Sequence, residues 1–176
     1  DTTEVVIAPD IAGRIIQYRT HGHDWLWVNK KLEGRVFPPG ENDSMEVWKN
    51  YGGDKLWPAP QGWDTREQWP GPGDPVITAP YKWEILEKQG PEVKLKLTGS
   101  DKGGYAGVQF SRVLTLRDGS ERLEMDITMK NVSDRTVSWG IWEVTQMDFS
   151  DQGRNEGEND WNESAYLAIP MNPKSM

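Results

Sequence analysis

From residue 81 onward, apolar and polar side chains alternate with a period of two. Val93, Leu95 and Leu97 interleave with Lys94, Lys96 and Thr98, the pattern of a strand with one face in a core and the other in water. Val108, Phe110, Arg112, Leu114 and Leu116 continue it and run into Asp118-Gly119, a dipeptide that favours a tight hairpin turn. Beyond that turn Leu123, Met125, Ile127 and Met129 alternate with Glu124, Asp126, Thr128 and Lys130. The expected arrangement is an antiparallel meander. A further turn at Ser133-Asp134-Arg135 opens a strand over residues 137–147, where Val137, Trp139 and Ile141 share one face and Ser138, Gly140 and Trp142 the other.

The N-terminal part predicts shorter strands over residues 5–8, 15–20 and 25–29, the latter two joined by a His21-Gly22-His23-Asp24 turn. Helical periodicity is nearly absent. Residues 30–80 are rich in Gly, Pro and Trp and carry little period; so long an irregular stretch inside a compact domain is more often functional than not. The strand-rich, helix-poor order predicts an all-β fold, an antiparallel β-sandwich, in one domain spanning residues 1–176.

The irregular stretch contains the most informative block, residues 50–63, Asn-Tyr-Gly-Gly-Asp-Lys-Leu-Trp-Pro-Ala-Pro-Gln-Gly-Trp. Gly52 and Gly53 permit left-handed backbone, while Pro58 and Pro60 fix φ and remove two amide donors, so the block reads as a shaped loop. Asn50, Asp54, Lys55 and Gln61 can exchange hydrogen bonds beside the flat faces of Trp57 and Trp63. That combination suits a carbohydrate ligand.

Composition narrows the classes. The chain has 176 residues, 27% of them charged, and a net charge of -8 with no Lys/Arg cluster, which argues against nucleic-acid and anionic-membrane partners. No apolar run is long enough to span a bilayer. Cysteine is absent, which removes disulfides, thiolate nucleophiles and Cys-based zinc sites. A chain beginning at Asp1 is read as a mature secreted or periplasmic form, or as a fragment.

Residues 10–18 (Asp-Ile-Ala-Gly-Arg-Ile-Ile-Gln-Tyr), the Gly-Gly-Asp-Lys-Leu-Trp-Pro-Ala-Pro-Gln block and residues 139–146 together resemble the galactose-mutarotase-like superfamily, and within it the DUF4380 family. The resemblance spans nearly all of the chain. It implies a β-supersandwich that binds carbohydrate in a concave groove on one sheet, as in aldose 1-epimerases, sugar-phosphate epimerases and non-catalytic domains of larger glycosidases. Complete members are longer, so the resemblance also implies an N-terminal portion lacking its last strands.

Mutarotation needs a general base for the anomeric hydroxyl and a general acid for the ring oxygen. In the resembled enzymes these are a Glu late in the fold and a His on a middle strand. The His position corresponds here to about Trp142-Glu143, where this chain has no His. Three readings therefore stand: a carbohydrate-binding protein, an aldose 1-epimerase or related isomerase completed by further chain, and a structural sandwich domain of a larger carbohydrate-active enzyme. No catalytic residue, metal or cofactor is assigned.

The expected ligand contacts are Asn50, Asp54, Lys55, Trp57, Gln61, Trp142 and Glu143. Asp54 and Lys55 fall where the resembled epimerases carry an Asn-Arg pair; the alternative is a buried ion pair that shapes the loop. The tryptophans at 48, 57, 63 and 69 could stack on sugars but suit packing better. By strand alternation Glu143 shares the face of Trp139 and Ile141, so only one of Trp142 and Glu143 can face a groove, with Trp142 preferred. His21 and His23 read as a solvated hairpin rather than a zinc pair. The acidic run Asp148, Asp151, Glu156, Glu158, Asp160 and Glu163 lacks EF-hand spacing and reads as a solvated loop rather than a calcium site.

Overall fold

The computed structural model describes residues 3–37, 48–150 and 164–168. Two antiparallel sheets account for almost all regular structure in them, bearing out the all-β sandwich. The first sheet runs β1 (Thr3–Ala8), β2 (Arg14–Thr20), β4 (Asp54–Ala59) and β9 (Gly140–Thr145), with the short β3 (His23–Asp24) on β2. The second is the expected meander in chain order, β5 (Lys82–Glu87), β6 (Glu92–Thr98), β7 (Val108–Arg117) and β8 (Leu123–Asn131). One helical turn, α1 (Pro75–Thr78), contacts both β4 and β7.

Alternation places the core. On β7, Val108, Phe110, Arg112 and Leu114 are buried, joined by Leu97 of β6 and, from the first sheet, Ile15 and Leu56. Val76 and Ile77 of α1 belong to the same cluster. Asp74 organises this corner: its carboxylate accepts from the Val76 and Ala106 amides and from the indole of the fully buried Trp69, at 3.1, 2.9 and 2.9 Å.

Two segments differ from the sequence reading. Residues 54–59 are not loop but strand β4, seated between β2 and β9. The strand carries no alternation because both of its faces are covered: Asp54, Lys55, Leu56, Trp57 and Pro58 are all buried. Pro58 is tolerated because β2 meets β4 only at Ile15–Asp54, so farther along β4 has one ladder neighbour and no amide is needed on the open side.

Residues 25–29 are not a regular strand. They make only isolated bridges, Leu26–Met147 and Val28–Gly52. Their amides divide among three neighbours: Trp25 donates to Tyr18, Trp27 to Gln146 and Asn29 to Tyr51. Gly52 and Gly53, at φ +81° and +68°, bend the chain entering β4 and prevent one continuous ladder there. The β2–β3 turn is also tighter than expected, with His21 and Gly22 at φ +50° and +80°.

Candidate functional site

Alternation along β4 sends its two conspicuous polar side chains in opposite directions. Asp54 points at the second sheet, where its Oδ1 accepts from the buried Arg112 guanidinium at 2.6 Å and its Oδ2 from the Thr145 hydroxyl at 2.8 Å. Arg112 also donates to the Gly13 carbonyl. Lys55 projects from the other face. The Asp54 carboxylate is thus an internal tie between the sheets, and its ion-pair partner is Arg112.

On the face of Lys55 stand Trp57, then Trp142 and Val144 of β9, which pair with Trp57 and Lys55. The Trp57 ring meets Trp142 edge-on at 5.7 Å, Trp48 at 5.8 Å and Trp69 at 5.4 Å. The Lys55 ammonium lies 4.9 Å over the Trp57 ring and 5.2 Å over the Trp48 ring, and donates to Gln146 Oε1 at 3.1 Å. Arg14 extends the site along β2; its Nη1 donates to the Gly52 carbonyl at 2.6 Å and its guanidinium covers Tyr51. Trp142 is 44% exposed and forms the open side of this cluster.

Burial sets the electrostatics. The Lys55 ammonium is pushed down to about 7, first by loss of solvent and then by the Arg14 charge, against an opposing pull from Asp54. Arg14 is lowered to about 10, again chiefly by burial. The Glu143 carboxyl is raised by desolvation and next by the Asp54 charge beside it. Near neutral pH Lys55 can therefore carry or give up a proton.

The seven expected contacts divide. Lys55, Trp57 and Trp142 come together on one face. Asp54 and Glu143 lie on the reverse face, in agreement with the expected separation of Trp142 from Glu143. The Asn50 side chain accepts from the Gly52 amide at 3.1 Å and so shapes the approach to β4. Gln61 lies beyond the other end of β4, bridged to Trp69. Trp63 is 67% exposed.

A family model described as a domain of unknown function, DUF4380, matches residues 1–152. The chain belongs to the DUF4380 family. No curated protein and no solved structure matches it.

In this DUF4380 chain the sequence reading overlooked Arg14, Arg112 and Gln146 as parts of the site and its support. Arg112 had a legible signal, since it occupies a core register between Phe110 and Leu114 and a buried guanidinium requires a carboxylate. Arg14 and Gln146 had none, because their roles come from what lies beside them across the sheet. Trp48 was read as packing, and it does pack, against Trp57 and Lys55. His21 sits in its exposed turn, paired with Glu121, while His23 meets Trp25 edge-on at 4.3 Å. No metal-holding group of His, Asp or Glu occurs among the described residues. The acidic run from Asp151 to Glu163 lies outside them.

Proposed function

We propose that this DUF4380 domain binds carbohydrate on the face of the first sheet that carries Lys55, Trp57 and Trp142. The supporting observation is the buried lysine enclosed by indoles beside one half-exposed indole, Trp142. A pyranose offers an apolar face for stacking and hydroxyls for hydrogen bonds, and this cluster supplies both an aromatic wall and N–H donors. The likeness to mutarotase-type sandwiches points the same way, and under that reading the chain is one part of a longer supersandwich. Calorimetric titration with common aldoses and oligosaccharides tests the proposal. Saturable heat at millimolar ligand or below is expected; its absence across the panel counts against carbohydrate binding.

One observation favours a second reading, an aldose 1-epimerase. A lysine titrating at about 7 can shuttle a proton to a ring oxygen, and further strands in a longer protein would supply the base. Polarimetry on fresh α-glucose and α-galactose separates the two, because a binder leaves the spontaneous rate unchanged.

A further inference from the structure

The face that carries the proposed sugar site holds two buried basic side chains, and among the described residues neither is hydrogen-bonded to a carboxylate. Arg14 is 2% exposed and Lys55 4%. Asp54 is their nearest acid in sequence, but both of its oxygens are engaged on the reverse face by Arg112 and Thr145. Glu143 also lies on that reverse face, and Asp10, at the rim of the recess beside Arg14, is exposed and makes no ion pair with it. Asp54 favours both charges from across the sheet without hydrogen-bonding either, and burial still outweighs it; an anion on their own face would offset that cost.

Among the described residues, the buried side-chain atoms left without a partner on this face are donors. Among the described residues Arg14 Nε and Trp57 Nε1 are buried donors without a partner, and Lys55, with three protons to give, donates to Gln146. Unsatisfied buried donors are rare enough in folded proteins to call for a specific explanation. A set of donors around two cations matches an oxyanion. The recess between Arg14, Trp48 and Tyr51 is narrow, with a free volume of about 10 Å³, roughly one water-sized group. Planar carboxylate oxygens enter such a slot more readily than a tetrahedral phosphoryl group.

We propose that the site takes a carboxylate-bearing sugar, a hexuronate or its oligomer, with the carboxylate held by Arg14 and Lys55 and the pyranose laid against Trp57 and Trp142. This rests on the carbohydrate reading above and names the substrate class for it. Charge-assisted bonds from a guanidinium and an ammonium supply affinity for the acid that its neutral parent cannot obtain. An anion beside Lys55 favours the protonated amine, so binding above neutral pH takes up protons. Among the described residues, the charged groups that act on that amine are Arg14 on β2 and Asp54 on its own strand; Tyr51 lies against Arg14, and Glu143 is on the reverse face of β9.

The test is calorimetric titration of the 176-residue chain with glucuronate, galacturonate, glucose, galactose, the methyl ester of glucuronate, glucose 6-phosphate and inorganic phosphate. Titrations at pH 7.5 or thereabouts are run in two buffers of different ionisation enthalpy. Expected is a uronate affinity roughly tenfold or more above that of the parent aldose, falling with added salt, accompanied by proton uptake, and lost in the methyl ester. In Arg14→Gln and Lys55→Met the ratio of uronate to aldose affinity falls toward one; the ester keeps the test decisive if either variant fails to fold. Aldose and uronate binding alike, or glucose 6-phosphate or phosphate preferred to uronate, overturns the carboxylate assignment while leaving carbohydrate binding standing. No heat with any sugar overturns the carbohydrate reading itself.

Discussion

Lys55 makes folding depend on pH in a direction its surroundings dictate. Its folded-state value of about 7 lies below the ordinary 10.5, so between those limits the unfolded chain binds more protons than the native one. Stability contributed by this group therefore rises as pH climbs from 7 toward 10.5, and the penalty of burying the ammonium is fully present below 7. Lys55→Met is expected to flatten that rise and to raise the urea midpoint most at pH 6. Asp54 and Arg112 behave oppositely, since each neutralises the other. Arg112→Met strands a buried carboxylate and is expected to cost about 3–5 kcal/mol, whereas Arg112→Met combined with Asp54→Leu should cost less than the single change, measured as a double-mutant cycle. Two glycines separate backbone strain from crowding. Gly53 and Gly119 share a left-handed φ of +68°, but a methyl at Gly53 would strike the Ile15 carbonyl while Gly119 faces open space. Gly119→Ala should lose about 1 kcal/mol, and Gly53→Ala distinctly more, by urea denaturation.

Among the strands, β7 and β4 play different parts. β7 pairs with β8 over residues 108–116 and with β6 over residues 111–117, and presents Val108, Phe110, Arg112 and Leu114 to the core. Its amides are expected to be the slowest to exchange with deuterium, and those of the edge strands β5 and β9 faster, because β7 has a ladder on both sides over residues 111–116 and carries much of the core. A uniform exchange rate across β5 to β9 would refute that ordering. This meander was legible in advance: one face packs, the other is wet, and the period of two records the difference residue by residue. β4 was not legible. Asp54-Lys55-Leu56-Trp57-Pro58 meets a protein surface on each side, so polar and apolar residues succeed one another without a period, and its prolines read as loop. Residues 25–29 failed in the other direction. Their composition suits a strand, but the kink at Gly52 and Gly53 denies them a continuous neighbour.

Considered as one molecule, the domain is a sandwich tied internally by Asp54–Arg112 and open on its outer sheet face at Trp142. Wherever structure follows from local alternation or turn chemistry, the amino-acid order sufficed: the meander, its Asp118-Gly119 hairpin, the all-β class and the opposite facing of Trp142 and Glu143 all come from spacing along the chain. What lay beyond reach was the partnering. Arg112 finds Asp54 across 58 positions, and Gln146 and Thr145 reach Lys55 and Asp54 across 91. No periodicity encodes such distances. Which acid neutralises which base, and which face carries Arg14 and Lys55 without an ion pair among the described residues, was settled when two sheets packed and each strand's two sides met different surroundings.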